Sequence, residues 1–458
     1  MTDDYFEFLG SYAMDSFNLT VNTDNDFDQL TKQENATLVH EYIHFIQSVS
    51  TVYGWYTIGN LPILTQHIVN AIYNKDNSKE RNFPYLKIGG EDDQVIENLT
   101  TLHQLLEGDL GCSGEHQELN SKSSFYIVDD VVSCSLSESE WFDEDYMELP
   151  NGVKYSKGVK VVYRFDPENI GLKNSKKINV MLGAVCLYEF MAYSIEKHIL
   201  EEKINSPKVP YLVVKDVSEF MLGMEINDNV LSSICEFSLQ SRSPGETFYE
   251  TLKNLKKERI DFNLLTTDII NTCFKEEYII EVGGNKESYD KIGLLNKFSD
   301  EALQEYKQIF SGLDDYIGIT NLIYHIQERI KEYRDGNPLM ISELLFMNPS
   351  DAVVEITKMM NEIAIPPIFN NNGYIGNSVS GGEYNEYFMF FPMLSEFVEI
   401  IRKGKSSCSL YSTCSVCSPE AISDNCLSNV YLKGRESMLC GVGQMIKMWK
   451  LNDFDFKI

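Results

Sequence analysis

The sequence predicts an α+β fold, in which strands and helices alternate in the first part of the chain and a larger, mainly helical region follows. Two observations predict it. Aromatic and β-branched residues dominate 5–21, 125–134 and 159–165, which is typical of strands. In the second half, apolar residues recur with a period near 3.6 in several segments, which indicates amphipathic helices. We therefore divide the chain into 1–205 and 206–458.

The first predicted helix covers about 32–53. Thr31 and Glu34 form a T-x-x-E capping box at its start. Gly54 stands where a C-cap residue is expected. The aromatic segment before this helix is interrupted by Gly10. The beginning of the chain therefore predicts one or two strands followed by a well-capped helix.

The next part of the chain is polar and then apolar. Residues 74–100 are rich in loop-forming types, and a short helix is predicted over 93–106. A longer helix is predicted over 178–201, and its first half is apolar on nearly every side, which is typical of a buried helix. Pro207 and Pro210 follow it, so we place the boundary between the two regions near residue 205.

The second region is predicted to be mainly helical. Helices are predicted over 229–240, 244–258, 299–310, 314–334 and 349–363. Two segments lack this periodicity: a Pro/Asn/Gly-rich loop, 366–384, and a Ser- and Cys-rich segment, 404–427.

Charge excludes some classes of function. The chain has 458 residues and a formal net charge of −30, from 39 Lys and Arg against 69 Asp and Glu. Duplex nucleic acid and anionic membranes both require clustered basic side chains. The N-terminus lacks the basic start and apolar run of a secretory signal, and no stretch reaches the ~18 uncharged apolar residues of a membrane span. We therefore expect a cytoplasmic protein with reduced cysteines, no nucleic-acid partner and no membrane partner.

The most informative residues are His40-Glu41-Tyr42-Ile43-His44, an H-E-x-x-H motif inside the first predicted helix. Residues four apart share a helix face, so both imidazoles can reach one metal ion. The Glu41 carboxylate can then take a proton from a water held by that metal. The competing interpretation is a helix whose two histidines are merely hydrogen-bonded core groups.

The motif and its helical setting resemble the zincin metallopeptidases over about 25 residues. The resemblance implies one catalytic zinc ion, with His40 and His44 as ligands and Glu41 as the general base. It also implies a small twisted sheet above the active-site helix and a second helix that brings a third ligand. The metzincin branch requires Gly and His where this chain has Gln47 and Ser50. The resemblance is therefore gluzincin-like, with a Glu as the third ligand.

Glu189 is the leading candidate for that third ligand. It lies in the apolar segment 180–193, where a lone ionised carboxylate would cost several kcal/mol unless it were paired or bound to a metal. A salt bridge with a residue such as Arg164 is the alternative. The rival candidates for the third ligand are Glu196, His198, His67, Asp129 and Asp130.

Two further residues are predicted to support the site. Glu196 lies two turns after Glu189 on nearly the same face, where its carboxylate could orient one of the two histidines. Tyr193, one turn after Glu189, is the candidate donor to the oxyanion formed in peptide hydrolysis. The interval between the motif and Glu189 is long for a gluzincin, so we place an insertion at about 60–120.

Cys408, Cys414, Cys417 and Cys426 form a second candidate metal site. Their spacing is C-x5-C-x2-C-x8-C, and the central C-x2-C pair is common in structural zinc sites. The sequence leaves three interpretations open: a second, structural zinc ion, a redox or disulfide pair, or unrelated free thiols.

These observations predict a cytoplasmic zinc-dependent metallopeptidase that cleaves a restricted set of protein or peptide substrates. Glu41 would activate the attacking water. The large helical remainder indicates restricted access to the site and leaves room for a regulatory partner. The alternative is a zinc-stabilised interaction protein, or a toxin-like effector, whose H-E-x-x-H motif is structural.

Overall fold

The structure of the chain is a computed structural model in which helices predominate and small sheets lie between them. The residues that it describes are 10–14, 16–74, 80–82, 96, 131–138, 146–148, 154–156, 159–165, 177–201, 209–257, 278–282, 285–376, 385–417 and 419–457. Within these residues, no helix combines the length and the apolar character needed to cross a membrane.

Helices form most of the described chain. In chain order they are α1 (Lys32–Ser50), α2 (Val52–Asn74), α3 (Ala184–Leu200), α4 (Val213–Leu222), α5 (Asp228–Leu239), α6 (Pro244–Lys257), α7 (Lys291–Phe310), α8 (Tyr316–Gly336), α9 (Pro349–Glu362), α10 (Phe390–Lys403), α11 (Tyr411–Cys417), α12 (Asn425–Ser428) and α13 (Gly441–Met448). The five helices predicted by periodicity in the second region are confirmed as α5 to α9, although α7 begins well before the predicted start at residue 299.

Short strands form several small sheets. The strands are β1 (Gly10–Ala13), β2 (Asn18–Val21), β3 (Glu80–Asn82), β4 (Val131–Glu138), β5 (Tyr146–Glu148), β6 (Lys154–Ser156), β7 (Val159–Phe165), β8 (Lys177–Leu182), β9 (Tyr278–Val282), β10 (Asn285–Tyr289), β11 (Ile368–Asn370), β12 (Gly373–Gly376) and β13 (Asp455–Lys457). They pair in the orders β1-β2-β11-β12, β4-β7-β8, β5-β6, β9-β10 and β3-β13.

The sheet nearest to the H-E-x-x-H motif is mixed. β1 pairs antiparallel with β2, and β11 with β12, whereas β11 runs parallel to β2. β1 and β2 pack against α1. The fold is therefore α+β in a broad sense: a mainly helical chain with a small mixed sheet on the motif helix.

Two strands of this sheet come from the segment 366–384, which the sequence predicts as a loop. That prediction is wrong for β11 and β12. Ile368 is fully buried and pairs with Leu19, more than 300 residues earlier in the chain. Short strands rich in Asn and Gly have little local strand propensity, so their pairing depends on a distant partner that the local sequence does not reveal.

The motif helix ends earlier than predicted. The capping box at Thr31 and Glu34 is confirmed, but α1 stops at Ser50 and the chain enters α2 directly after Thr51. Gly54 lies inside the first turn of α2, so its prediction as a C-cap is wrong. A Cβ at Gly54 would lie 1.9 Å from the carbonyl oxygen of Ser48. This glycine therefore allows the chain to turn a tight corner between the two helices.

The predicted insertion at about 60–120 begins inside α2, which continues to Asn74. Most of its remaining length lies outside the described residues, as does most of the short helix predicted over 93–106. Its boundaries, and the division of the chain into 1–205 and 206–458, stay predictions.

The long helix predicted over 178–201 is a strand followed by a helix. β8 pairs antiparallel with β7, and Gly183 then caps the start of α3. Val180 and Leu182 are buried and alternate with other residues, which fits the two-residue period of a strand. Because the whole stretch is apolar, composition alone does not separate the strand from the helix.

Residues from both parts of the chain share the hydrophobic core near the motif helix. Phe17 packs edge-on against Phe45 of α1 and against Phe391 of α10, at 5.6 and 4.4 Å between ring centroids. Phe388 joins the same aromatic group. The second region therefore helps to hold the motif helix against its sheet.

Candidate metal centre

Two antiparallel helices, α1 and α3, build the candidate site. Near one end, Lys32 Nζ donates to the Leu200 carbonyl oxygen at 3.0 Å. Near the other, Gln47 Nε2 donates to the Tyr188 carbonyl oxygen at 3.1 Å. These contacts hold the two helices in register, so that the motif on α1 faces Glu189 on α3.

Three donor atoms meet between these helices. His40 Nε2 lies 3.1 Å from His44 Nε2 and 3.3 Å from Glu189 Oε2, and His44 Nε2 lies 3.5 Å from the same carboxylate oxygen. Around a tetrahedral ion with bonds of about 2.0–2.1 Å, donor atoms lie about 3.3–3.4 Å apart. The arrangement fits one central cation, and the three residues could hold a metal ion.

Each histidine is oriented through its other ring nitrogen. Nδ1 of His40 lies 3.0 Å from Glu196 Oε2, and Nδ1 of His44 lies 2.8 Å from Gln47 Oε1. An imidazole that donates its Nδ1 proton in this way keeps the Nε2 lone pair for a metal. The position of Glu196 agrees with its predicted supporting role. Gln47 was not predicted in such a role, although its place three residues after His44 could have indicated it.

Charge in the site favours a central cation. Burial disfavours a charged imidazole, but hydrogen bonds to Glu189 and Glu196 outweigh it and raise the pKa of His40 well above its ordinary value. Burial likewise disfavours a charged Glu189, but His44 and His40 hold its pKa well below its ordinary value. A positive charge is therefore stabilised between these groups, and a metal ion would supply it.

Glu41 lies one residue after His40 and is also buried. Burial is the main cause that raises the pKa of this carboxyl to about 7, against the opposing effect of His40 and His44. Glu189 and Glu196 raise it further by repulsion between like charges. A carboxylate with a pKa near neutrality is suited to accept and release a proton.

Gly10 lets strand β1 lie directly against Glu41. A Cβ on Gly10 would lie 2.7 Å from Glu41 Oε1 and 2.7 Å from Thr37 Cγ2. Any side chain there would displace the strand or the carboxylate. In the sequence this glycine indicates only an interruption of an aromatic segment, because its partner is brought to it by the packing of β1 on α1.

Tyrosine rings surround the two histidines. Tyr12 stacks on His44 and Tyr188 lies tilted against it, each at 6.3 Å between ring centroids. Tyr211 lies 6.1 Å from the ring of His40. Tyr12 and Tyr211 are only partly buried, so they form the accessible edge of the site.

Tyr193, the predicted oxyanion donor, is buried, and its ring lies 5.7 Å from that of Tyr211. Tyr211 is the tyrosine in ring contact with His40. Burial, and then the carboxylates of Glu189 and Glu41, raise the pKa of Tyr211, so its phenol keeps its proton. The sequence offered no signal for Tyr211, since it lies outside the helix that carries Glu189.

The other candidates for a third ligand are placed elsewhere or not described. His198 Nε2 lies 3.0 Å from the Met347 carbonyl oxygen, away from the motif. His67 lies on α2 and does not belong to the group of His40, His44 and Glu189. Asp129, Asp130 and the side chain of Arg164 lie outside the described residues.

The described cysteines of the cysteine-rich segment form no disulfide bonds. The backbone N–H of Cys408 donates to the Cys426 carbonyl oxygen at 2.7 Å, and burial raises the pKa of Cys408 to about 12. Cys414 lies on α11, and the side chain of Cys417 is outside the described residues. Among the side chains that are described, these cysteines do not form a second group of three metal donors. The predicted structural zinc site stays a prediction.

Comparisons of the chain with protein-family models, with curated proteins and with solved structures find no match. The resemblance to zincins therefore rests on the motif and on the group of His40, His44 and Glu189.

Proposed function

We propose that this protein is a zinc-dependent peptidase that cleaves a restricted set of protein or peptide substrates. The observation that carries the proposal is the convergence of His40, His44 and Glu189, with donor atoms 3.1–3.5 Å apart, beside the buried carboxylate of Glu41. Between Ser50, the last residue of α1, and Ala184, the first residue of α3, lie 133 residues of the chain. Their meeting at one point is what the peptidase interpretation of the motif requires.

The donor set supports zinc. Two imidazole nitrogens and one carboxylate oxygen are donors that zinc accepts, and three protein ligands are typical of catalytic rather than closed structural zinc sites. His40 and His44 would hold the ion through Nε2, and Glu189 through Oε2. When bound, zinc would polarise the substrate carbonyl and lower the pKa of a coordinated water towards neutrality.

Glu41 would be the general base. Its buried carboxylate would take a proton from the attacking water and pass it to the nitrogen of the departing amine. Gly10 lets β1 lie close to this carboxylate.

We propose Tyr211, rather than Tyr193, as the donor that stabilises the oxyanion. Its partly exposed ring lies 6.1 Å from that of His40, whereas Tyr193 is buried and its ring lies 5.7 Å from that of Tyr211. A phenol that keeps its proton can donate a hydrogen bond to the developing negative charge on the substrate oxygen.

Limited access supports a narrow choice of substrate. His40, Glu41 and His44 are each no more than 6% exposed, and the side chain of Glu189 is 24% exposed. The net charge of −30 favours a substrate with a neutral or basic surface. A regulatory partner could act on the large helical region.

The same burial also favours the alternative function, a zinc-stabilised interaction protein. A structural site is closed by a fourth protein ligand, whereas the group seen among the described residues has three members. Zinc removal would then lower the melting temperature without affecting any hydrolysis. Hydrolysis of a peptide library separates the two functions.

The test compares wild type with Glu41→Gln. We expect both proteins to bind one zinc ion, because the glutamine leaves the three donors intact, and kcat of the variant to fall by about 10²–10⁴ because the general base is lost. Zinc is measured by elemental analysis and hydrolysis by mass spectrometry of a peptide library that includes basic sequences. A wild type without zinc, or a Glu41→Gln variant with unchanged kcat, contradicts the proposal.

A further inference from the structure

The C-terminal end of the motif helix is held by a buried arginine from the second region. Arg334 on α8 is 1% exposed, and its Nη2 donates to Ser50 at 2.8 Å to the carbonyl oxygen and 3.1 Å to Oγ. Ser50 is the last residue of α1, where the helix leaves carbonyl oxygens without partners inside the helix. A cation at this end also interacts favourably with the helix dipole.

Arg334 is itself anchored by Glu236 on α5. Its Nη1 donates to Glu236 Oε1 at 2.5 Å, and neither side chain is exposed. The two oxygens of Glu236 also accept from the backbone N–H groups of Ile341 and Ser342, at 3.2 and 2.7 Å. The carboxylate therefore joins α5 to the turn after α8, and the guanidinium joins both to α1.

Gln240 adds a second connection at the same corner. Its Nε2 donates to the Ser50 carbonyl oxygen at 3.2 Å, and its Oε1 accepts from the backbone N–H of Val52 at 3.3 Å. The carbonyl oxygen of Gln240 in turn accepts from the buried Lys291 Nζ at 2.9 Å. The last residue of α1 and the first of α2 are thus held by one side chain.

This arrangement is poorly explained by stability alone. Apolar side chains of similar volume often replace a buried ion pair without loss of stability. The Nε–H of Arg334 has no hydrogen-bond partner among the described residues, which is costly for a buried donor. What the ion pair supplies, and apolar side chains would not, is a directional contact to the end of α1.

The end of α1 matters because the helix carries two of the three donors. His44 lies six residues before Ser50, about 9 Å along the helix axis. Metal–ligand distances tolerate only about 0.2 Å of error. A shift of Ser50 would move His40 and His44 together relative to Glu189, which belongs to a different helix.

We infer that Arg334, Glu236 and Gln240 are positioning residues of the metal centre. They fix the C-terminal end of α1, so that the helices after residue 205 set the placement of His40 and His44 relative to Glu189. The inference rests on metal binding by these three donors, as in the proposed function. It assigns a role in the metal site to residues that contact neither the metal ligands nor a substrate.

The test replaces both members of the ion pair with neutral side chains, so that no buried charge is left without a partner. Arg334→Met combined with Glu236→Gln removes the contact to Ser50, while the glutamine oxygen still accepts from Ser342. The matched control is Lys433→Met combined with Glu436→Gln, which removes the hydrogen-bonded pair of the buried Lys433 in the segment before α13. Zinc affinity is measured by chelator competition, and the geometry of the site by the visible absorption spectrum of the Co²⁺-substituted protein. Circular dichroism shows whether each variant is folded.

We expect the Arg334/Glu236 variant to keep its helical spectrum but to bind zinc at least tenfold more weakly, with an altered Co²⁺ spectrum. The Lys433/Glu436 control should match wild type in both measurements. A folded Arg334/Glu236 variant with wild-type affinity and spectrum overturns the inference.

Gln240→Leu removes a hydrogen-bond donor to the same Ser50 carbonyl oxygen without changing a charge. This variant tests the inference if the double variant does not fold. Weaker zinc binding by folded Gln240→Leu supports the inference, and unchanged binding overturns it. A wild type that takes up neither Zn²⁺ nor Co²⁺ is a different failure, because it contradicts the proposed function itself.

Discussion

In the candidate metal centre, donor atoms from two helices lie within 3.5 Å of one another, whereas the described cysteines of the segment 404–427 form no disulfide bond and no such group. Both regions have residue types and spacings of metal sites. The imidazoles are oriented by Glu196 and Gln47, while Cys408 and Cys426 are connected through a backbone hydrogen bond. The difference lies in how each backbone constrains its side chains.

A helix converts sequence spacing into geometry, because residues four apart necessarily share a face. The segment 404–427 alternates short helices with turns, so its cysteine spacing does not determine where the sulfur atoms point. A motif on a continuous helix is therefore the stronger indicator of a metal site. The predictions below test this contrast, beginning with the largest expected effect.

Removing one donor from each region tests the contrast directly. His44→Ala should lose bound zinc altogether, because two donors remain of three, whereas Cys414→Ser should keep the wild-type stoichiometry. Elemental analysis of the purified variants gives the metal content per chain. Loss of one zinc ion in Cys414→Ser would show a second site and remove the contrast.

The tyrosine at the accessible edge of the metal centre should matter for catalysis. Tyr211→Phe should lower kcat by about 10²–10³ with unchanged zinc content, because an oxyanion donor is lost. Tyr193→Phe is the matched control, since it removes the same hydroxyl from the buried neighbouring ring. Steady-state kinetics on a cleaved peptide measures both variants. An equal loss in both would reject the choice of Tyr211 over Tyr193.

Weakening the hydrogen bond that orients His40 should have a smaller effect, on metal affinity. Glu196→Gln weakens the hydrogen bond to His40 Nδ1, and such changes beside metal ligands typically reduce metal affinity about 10–100-fold. Chelator competition measures the affinity. Glu436→Gln, in the second region, is the control and should bind zinc as wild type does. An unchanged affinity in Glu196→Gln would mean that α1 and α3 orient His40 without this carboxylate.

The metal-free protein should become less stable as pH rises from about 5 to 8. The pKa of His40 is raised on folding, and so is that of Glu41, to about 7. For groups with a raised pKa, the stabilisation is complete below the unfolded-state value and is lost as pH rises through the folded-state value. Bound zinc should reverse the trend, because it requires neutral imidazoles.

Thermal unfolding at several pH values, with and without zinc, measures this dependence. Glu41→Gln should show a weaker loss of stability in the metal-free form, since one of the two titrating groups is gone. A metal-free stability that rises between pH 5 and 8 would contradict the charge arrangement described for the site.

The sequence predicted secondary structure correctly where all the residues that determine an element lie in one short segment. The capping box at Thr31 and Glu34, the helices α5 to α9 and the strand β7 are confirmed because periodicity and capping are local properties. The meeting of Glu189 with the motif followed from an energetic argument about a carboxylate in an apolar segment.

Sequence reasoning failed where the outcome depended on a distant partner. β11 and β12 form only by pairing next to β2, and Gly54 and Gly10 act through atoms of other elements. The apolar run before Glu189 divides into β8 and α3 because β7 is available for pairing. None of these partners lies in the short stretch of sequence from which each prediction was made.

By itself, the sequence determined that one helix carries two imidazoles on a shared face with a carboxylate next to them, since helical spacing is a property of the backbone. Only the tertiary structure decided how far Glu189 stands from them, which groups orient the two rings, and that Arg334 holds the end of the helix. These distances arise from the packing of segments far apart in the chain, where many weak contacts act together and no short stretch of residues specifies them.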